Sequence, residues 1–196
     1  MWEYLWIDAA GPKNCTFGIN QAVYSQFKYS SSCGNCDTQY VLLLQLVYNQ
    51  IMINRVKAVE AGAVATLVEL LLDEGGRCVT ELAVVAIDHL CGCAEGRSEL
   101  VAHPAGLAVV SKKAMRVSLA ATESAVRALH AVARHSPTPA VLQEMLAVGV
   151  VAKLMLVLQV DAGDKARLRA KEMLKAHARV WKDSPCLQAH LKASYP

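Results

Sequence analysis

Two short stretches gather side chains that could hold a metal or act as nucleophiles. Cys33-Gly34-Asn35-Cys36 has the spacing of half a zinc site, and His89-Leu90-Cys91-Gly92-Cys93 places three potential ligands within five residues. Structural zinc takes four ligands, and no second Cys or His pair follows Cys36 at a suitable distance. At a helix end His89, Cys91 and Cys93 diverge, and free cysteine often packs as a small apolar residue. The six histidines (His89, His103, His130, His135, His177 and His190) show no spacing to an obvious nucleophile. Neither a Gly-x-Ser-x-Gly turn nor a glycine-rich phosphate loop is present. The residues therefore name no catalytic group, no metal and no cofactor. What remains is binding.

The formal net charge of +3 over 196 residues is too small to specify nucleic acid or a membrane surface. Seven cysteines at uneven spacing do not read as a disulfide framework. No basic start followed by an apolar stretch marks a leader. The longest apolar run, residues 40–53, spans 14 residues and contains Gln45, Asn49 and Gln50, whereas a membrane helix needs about 20. The expected setting is reducing and cytoplasmic. One stretch departs from this neutrality: Lys165, Arg167, Arg169, Lys171, Lys175, Arg179 and Lys182 stand against a single acid, Glu172. It reads either as a surface for an acidic or phosphorylated partner, or as the solvated face of a terminal capping helix.

The elements that would position these groups repeat. Gly62, Gly106 and Gly149 lie 44 and 43 residues apart, each within a short apolar phrase. Self-similarity at this period predicts a stack of helical repeats, all-α. The first unit, 54–94, reads as a short helix over 54–60, a sharp turn at Gly62, and a helix over 63–72 with Val64, Leu67, Val68, Leu70 and Leu71 inward. A longer helix over 78–93 then turns Leu82, Val85, Ala86, Leu90 and Cys93 inward. The second unit, 95–137, reads as helices over 95–102, 107–115 and 122–135, with a turn at Gly106 and Thr122 as N-cap. The third, 138–182, opens on Thr138-Pro139, turns at Gly149, and runs over 150–160. Its last helix is capped by Asp161 or Asp164 and reaches Lys182, where Ser184-Pro185 ends it.

Residues 1–53 differ. Nine of the 11 aromatic residues fall within residues 1–50, beside only five charges. No helical period runs from Gly11 to Asp37, and residues 30–36 read as loop. Residues 1–39 are expected to be a poorly ordered extension, 40–53 an apolar helix covering the first repeat, and 183–196 a short tail.

A short helix, a glycine turn and two longer helices in each 42–45 residues resemble an armadillo repeat. The phrases Asn54-Arg55-Val56-Lys57-Ala58-Val59-Glu60-Ala61-Gly62-Ala63-Val64, Leu67-Val68-Glu69-Leu70-Leu71, Leu90-Cys91-Gly92-Cys93-Ala94-Glu95-Gly96-Arg97 and Val148-Gly149-Val150-Val151-Ala152-Lys153-Leu154 are similar to those of plant U-box proteins. So are Val109-Val110-Ser111-Lys112-Lys113 and Arg179-Val180-Trp181-Lys182-Asp183-Ser184-Pro185-Cys186. The resemblance implies the C-terminal armadillo region of a U-box E3 ubiquitin ligase of the defence- and stress-related subgroup: a right-handed solenoid of about three repeats. In that family the U-box recruits the E2 ubiquitin-conjugating enzyme and the armadillo array selects the protein substrate. Residues 1–53 show no Cys-Pro-Ile-type opening, Thr-Tyr turn or Trp-bearing helix of a U-box. The expectation is thus a substrate-recognition region that is inactive as a ligase alone. The alternatives are a truncated scaffold, or a dominant-negative binder that holds substrate without modifying it.

Armadillo arrays usually bind an extended peptide along a groove lined by their third helices. Aligning these on Leu90, Val132 and His177 puts His89, Ala131 and Ala176 in one column. Importin-type proteins carry asparagine there, so reading of a nuclear-import signal is not expected. One position earlier stand Asp88, His130 and Lys175, with Arg127 and Arg134 on the same helix as His130. Asp88, His89, Arg127, His130, Arg134 and Lys175 are the groove candidates, though each also suits ordinary surface.

Overall fold

The computed structural model describes residues 54–73, 76–182 and 184. The expected extension over 1–39, the apolar helix over 40–53 and the tail apart from Ser184 lie outside the described residues, so no comparison is made for them. Among the described residues are ten helices and no strand. The first repeat consists of α1 (Arg55–Glu60), α2 (Ala63–Leu72) and α3 (Arg77–Leu90). The second consists of α4 (Ala94–Ala102), α5 (Gly106–Lys113) and α6 (Leu119–His135), and the third of α7 (Pro139–Ala147), α8 (Val150–Gln159) and α9 (Asp164–Ala176). A last turn, α10 (Ala178–Trp181), packs back on α7 and α9. Helices α3, α6 and α9 lie side by side, backed by α2, α5 and α8.

Local chemistry sets the starts. Asn54 accepts from Lys57 N–H at 3.1 Å to cap α1, and Thr138 accepts from Val141 N–H at 3.3 Å to cap α7, with Pro139 at the first position. Helix α6 corrects one expectation. Ser118, not Thr122, is its N-cap, accepting from Ala121 N–H at 3.1 Å. Ser118 and Thr122 are one turn apart, and Leu119, Ala120 and Ala121 between them favour helix, so the earlier cap wins. Thr122 is buried and donates back to Ser118 O at 2.8 Å.

The last helix is also corrected. Gly163, at φ +82°, occupies the N-cap of α9 rather than Asp161 or Asp164. Both carboxylates instead face Arg167, at 3.1 and 3.8 Å. Helix α9 stops at Ala176 and does not run to Lys182, because His177 leaves helical geometry and α10 starts a separate turn.

Gly62 and Gly149 make the predicted sharp turns at φ +79° and +77°, a conformation that strains residues with a Cβ. Gly106 is different. It is the first residue of α5 without positive φ, and a Cβ there would lie 2.0 Å from Leu100 O. Its missing side chain lets α4 and α5 approach; it is not a hinge.

The core is a continuous strip of Leu67, Val68, Leu71, Leu82, Ile87, Leu90, Leu100, Leu107, Val110, Leu129, Val132, Met145, Leu154 and Met173. Alanines 83, 86, 121, 125, 128, 133, 166 and 170 are also buried. Their small side chains suit the close side-by-side packing of α3, α6 and α9. Helix α3 is covered on several sides, so Val84 is buried while Val85, expected inward, is only half-buried. Cys93, also expected inward, caps α4: its Sγ accepts from Gly96 N–H at 3.4 Å and donates to Leu90 O at 3.2 Å.

A 42-residue register carries Val84 to Val126 and Leu168. The first two are buried against the next repeat, whereas Leu168 is 59% exposed. Ile87, Leu129 and Lys171 follow the same sequence from core to surface. The outward side of α9 is therefore largely charged, as a terminal repeat requires. Trp181 closes this end, fully buried, with Nε1–H donating to Leu142 O on α7 at 3.0 Å. No single described helix is long and apolar enough to cross a membrane.

Candidate protein-binding face

On helices buried from several sides, the few uncovered positions define the usable surface. On α3 these include Glu81, Val85 and His89, each half-buried. On α6 they include Glu123, Arg127, His130, Ala131 and Arg134, spaced along one face. On α9 they include Arg169, Glu172, Lys175 and Ala176. Charged contacts join the three helices across this strip.

The first contact is between repeats one and two. Asp88 is buried on α3, and Arg127 of α6 donates to its Oδ2 from Nε at 2.6 Å and from Nη2 as well. Nη2 also donates to Ser124 Oγ at 3.4 Å. Burial raises the Asp88 pKa despite the lowering effect of Arg127. Asp88 thus lies beneath the strip and orients Arg127, whose side chain remains 40% exposed. It is a support for the surface more than a part of it.

The second and third contacts join repeats two and three. His130 Nε2 meets Glu172 Oε2 at 3.1 Å, and Arg169 Nη1 lies 3.7 Å from Glu123 Oε1. Burial lowers the His130 pKa, outweighing the raising effect of Glu172. The neutral ring donates its Nε2–H to the carboxylate. Glu172 rather than Lys175 is thus the α9 residue that meets His130, because α6 and α9 pair in a 42-residue register and not in the 45-residue one that aligns Val132 with His177. His89 is half-buried, and desolvation lowers its pKa against the opposing pull of Asp88. Arg134 and Lys175 are exposed at the ends of α6 and α9.

The structure therefore brings Arg127 onto Asp88 and His130 onto Glu172. Glu123, Ser124, Arg169 and Glu172 belong to this network and were not among the candidates. Their signal was the i, i+4, i+7 spacing of Glu123, Arg127 and His130, and the 42-residue interval between His130 and Glu172. Beside the strip, Cys91 is buried and desolvation pushes its thiol pKa up to about 12, so no reactive thiolate forms there. No group of three or more His, Cys, Asp or Glu side chains suited to a metal occurs among the described residues.

Three-helix repeats, glycine turns and a charged strip on the third helices define an armadillo-type solenoid, a class whose surfaces bind other proteins. The chain belongs to the family described as plant U-box protein ARM repeat region, which matches residues 36–196. It is 56% identical over 146 residues to the E3 ubiquitin-protein ligase PUB23 of Arabidopsis thaliana, covering 73% of this chain and 36% of that protein. It is 54% identical over 146 residues to PUB22 of the same plant, covering 73% and 34%. To PUB24 it is 43% identical over 139 residues, covering 70% and 30%. The chain spans about a third of the length of these curated relatives. No solved structure matches it significantly.

Proposed function

We propose that this armadillo array recognises the protein to be modified in a ubiquitination reaction, through the strip on α3, α6 and α9. The observation that carries the reading is the Asp88–Arg127 pair: a buried carboxylate holds a partly exposed guanidinium in a fixed pose on an otherwise uncovered face. Such preorganisation lowers the entropic loss on binding. Glu123, His130, Arg134, Arg169, Glu172 and Lys175 supply alternating charge beside it, which suits an extended peptide with mixed polar side chains. The ligase names of the relatives support the ubiquitination setting, and the defence or stress setting belongs to the same reading.

The test is a comparison of proteins retained from plant extract by the full chain and by its Arg134→Glu/Lys175→Glu variant. Both charges are exposed, so circular dichroism should show unchanged helix. A partner retained only by the wild type should then become ubiquitinated with E1, E2, ATP and a U-box protein carrying this array. Equal retention by both proteins would remove the strip from the reading. A partner that binds but is never ubiquitinated would favour a scaffold or dominant-negative role.

A further inference from the structure

The chain contains three serine or threonine residues followed by proline: Ser136-Pro137, Thr138-Pro139 and Ser184-Pro185. This dipeptide is the acceptor pattern of proline-directed protein kinases, whose catalytic cleft takes the acceptor in extended form. Proline enforces that form in part, since its ring disfavours helical geometry in the residue before it. The structure treats the three hydroxyls differently. Ser184 is only 3% exposed. Ser136 is half-buried, with φ −135° and ψ 50°, away from an extended path. Thr138 is exposed, with φ −72° and ψ 150°, and its neighbours Pro137 and Pro139 are exposed too.

We propose that Thr138 is a phosphorylation site for a proline-directed serine/threonine kinase using ATP. In the step, Thr138 Oγ attacks the γ-phosphorus and the bond from that phosphorus to the bridging oxygen of ADP breaks. The hydroxyl proton passes to the kinase's carboxylate base, and ADP leaves. Thr138 Oγ1 accepts from Val141 N–H, and its own proton finds no acceptor among the described residues. The cap therefore leaves the proton available for removal.

The same geometry defines the consequence. The phosphate adds about two negative charges at neutral pH where the hydroxyl now caps α7. Anionic oxygens are favoured beside the first-turn N–H groups of a helix, so the modification keeps the cap rather than melting it. It also sets this charge three and four residues from His135 and Arg134, at the end of the open strip. The site stands independently of the ubiquitination reading.

The experiment treats the full chain with a proline-directed kinase and ATP, beside a Ser/Thr-Pro control peptide, and maps phosphate on the tryptic peptides spanning 135–153 and 183–192. Thr138 should carry at least tenfold more phosphate than Ser136 or Ser184. Ser136→Ala should leave the modification intact, Thr138→Asn should abolish it while keeping a capping oxygen, and Thr138→Ser should restore it. An unmodified 135–153 peptide beside a fully modified control overturns the proposal. So does phosphate placed mainly on Ser136 or Ser184.

Discussion

Arg127 Nε on α6 donates to Asp88 Oδ2 on α3 at 2.6 Å, joining two repeats through residues 39 positions apart. The carboxylate is buried and the guanidinium is partly open. Removing Arg127 leaves an uncompensated buried acid, so Arg127→Ala should destabilise the chain by about 2 kcal/mol, less than a fully buried pair because Arg127 is partly solvated. The Asp88 pKa is already raised by burial, and losing the guanidinium raises it further. Protonation then relieves the penalty as pH falls through that value. The melting-temperature deficit of Arg127→Ala should thus be smaller at pH 5 than at pH 7.5, and an unchanged deficit would contradict the buried-acid account.

His89, His130 and His177 all have pKa values lowered by burial. The unfolded chain therefore binds more protons than the folded one in this range, and stability rises with pH. Their contribution is complete above the unfolded histidine value of about 6.5 and is lost as pH falls through the folded values. Thermal melts should show lower stability at pH 5.5 than at pH 7.5. Gln at position 130, which can still donate toward Glu172, should shrink that difference; a larger difference would reverse the assigned sign.

Gly62 and Gly106 separate two uses of a missing side chain. Gly62→Ala meets nothing within 4 Å but keeps a positive φ, a loss of about 1–2 kcal/mol. Gly62→Asn should lose less, because Asn tolerates this conformation. At Gly106 the added Cβ meets the Leu100 carbonyl, so Gly106→Ala should be the more destabilising alanine and Gly106→Asn should give no relief. Urea denaturation of the four variants checks the order.

Trp181 anchors the end of the array through burial and through its bond to Leu142 O. Trp181→Ala should lose about 3–5 kcal/mol. Trp181→Phe keeps most of the apolar volume and loses only the Nε1–H bond, because Leu142 O still accepts within the α7 helix ladder, a loss of about 1 kcal/mol. Helix unfolding followed by circular dichroism gives both values, and a Phe variant as stable as wild type would show that the hydrogen bond is energetically idle.

Thr138→Ala removes the α7 cap and should destabilise by about 1 kcal/mol, whereas Thr138→Asp should be close to neutral. Melting temperatures decide it. Equal losses for the two variants would mean that the cap bond at 3.3 Å contributes little.

Much of the fold was legible because it rests on local rules. The glycine period, the Thr138-Pro139 start and the apolar faces of residues 63–72 and 150–160 depend on residues within one or two turns. The errors occurred where two local solutions compete. Ser118 and Thr122 could each cap α6, and the helix-favouring Leu119, Ala120 and Ala121 between them carry the start back to Ser118. Gly106 matched the other two glycines in period, but its role depends on the Leu100 carbonyl six residues away.

The charged strip was legible only in part. Arg127, His130 and Arg134 share one helix face, so their company followed from spacing. Their partners did not, since Asp88 is 39 residues from Arg127 and Glu172 is 42 from His130. The sequence by itself determined an all-α repeat of this family, with the Thr138 cap, the turns at Gly62 and Gly149 and the apolar stripes, because each depends on short-range backbone preference and periodicity. Tertiary structure alone decided which charges pair, which histidines are desolvated, and which hydroxyl before a proline is exposed. Those properties depend on burial and on the register of α9 beside α6, and both arise only when the repeats stack.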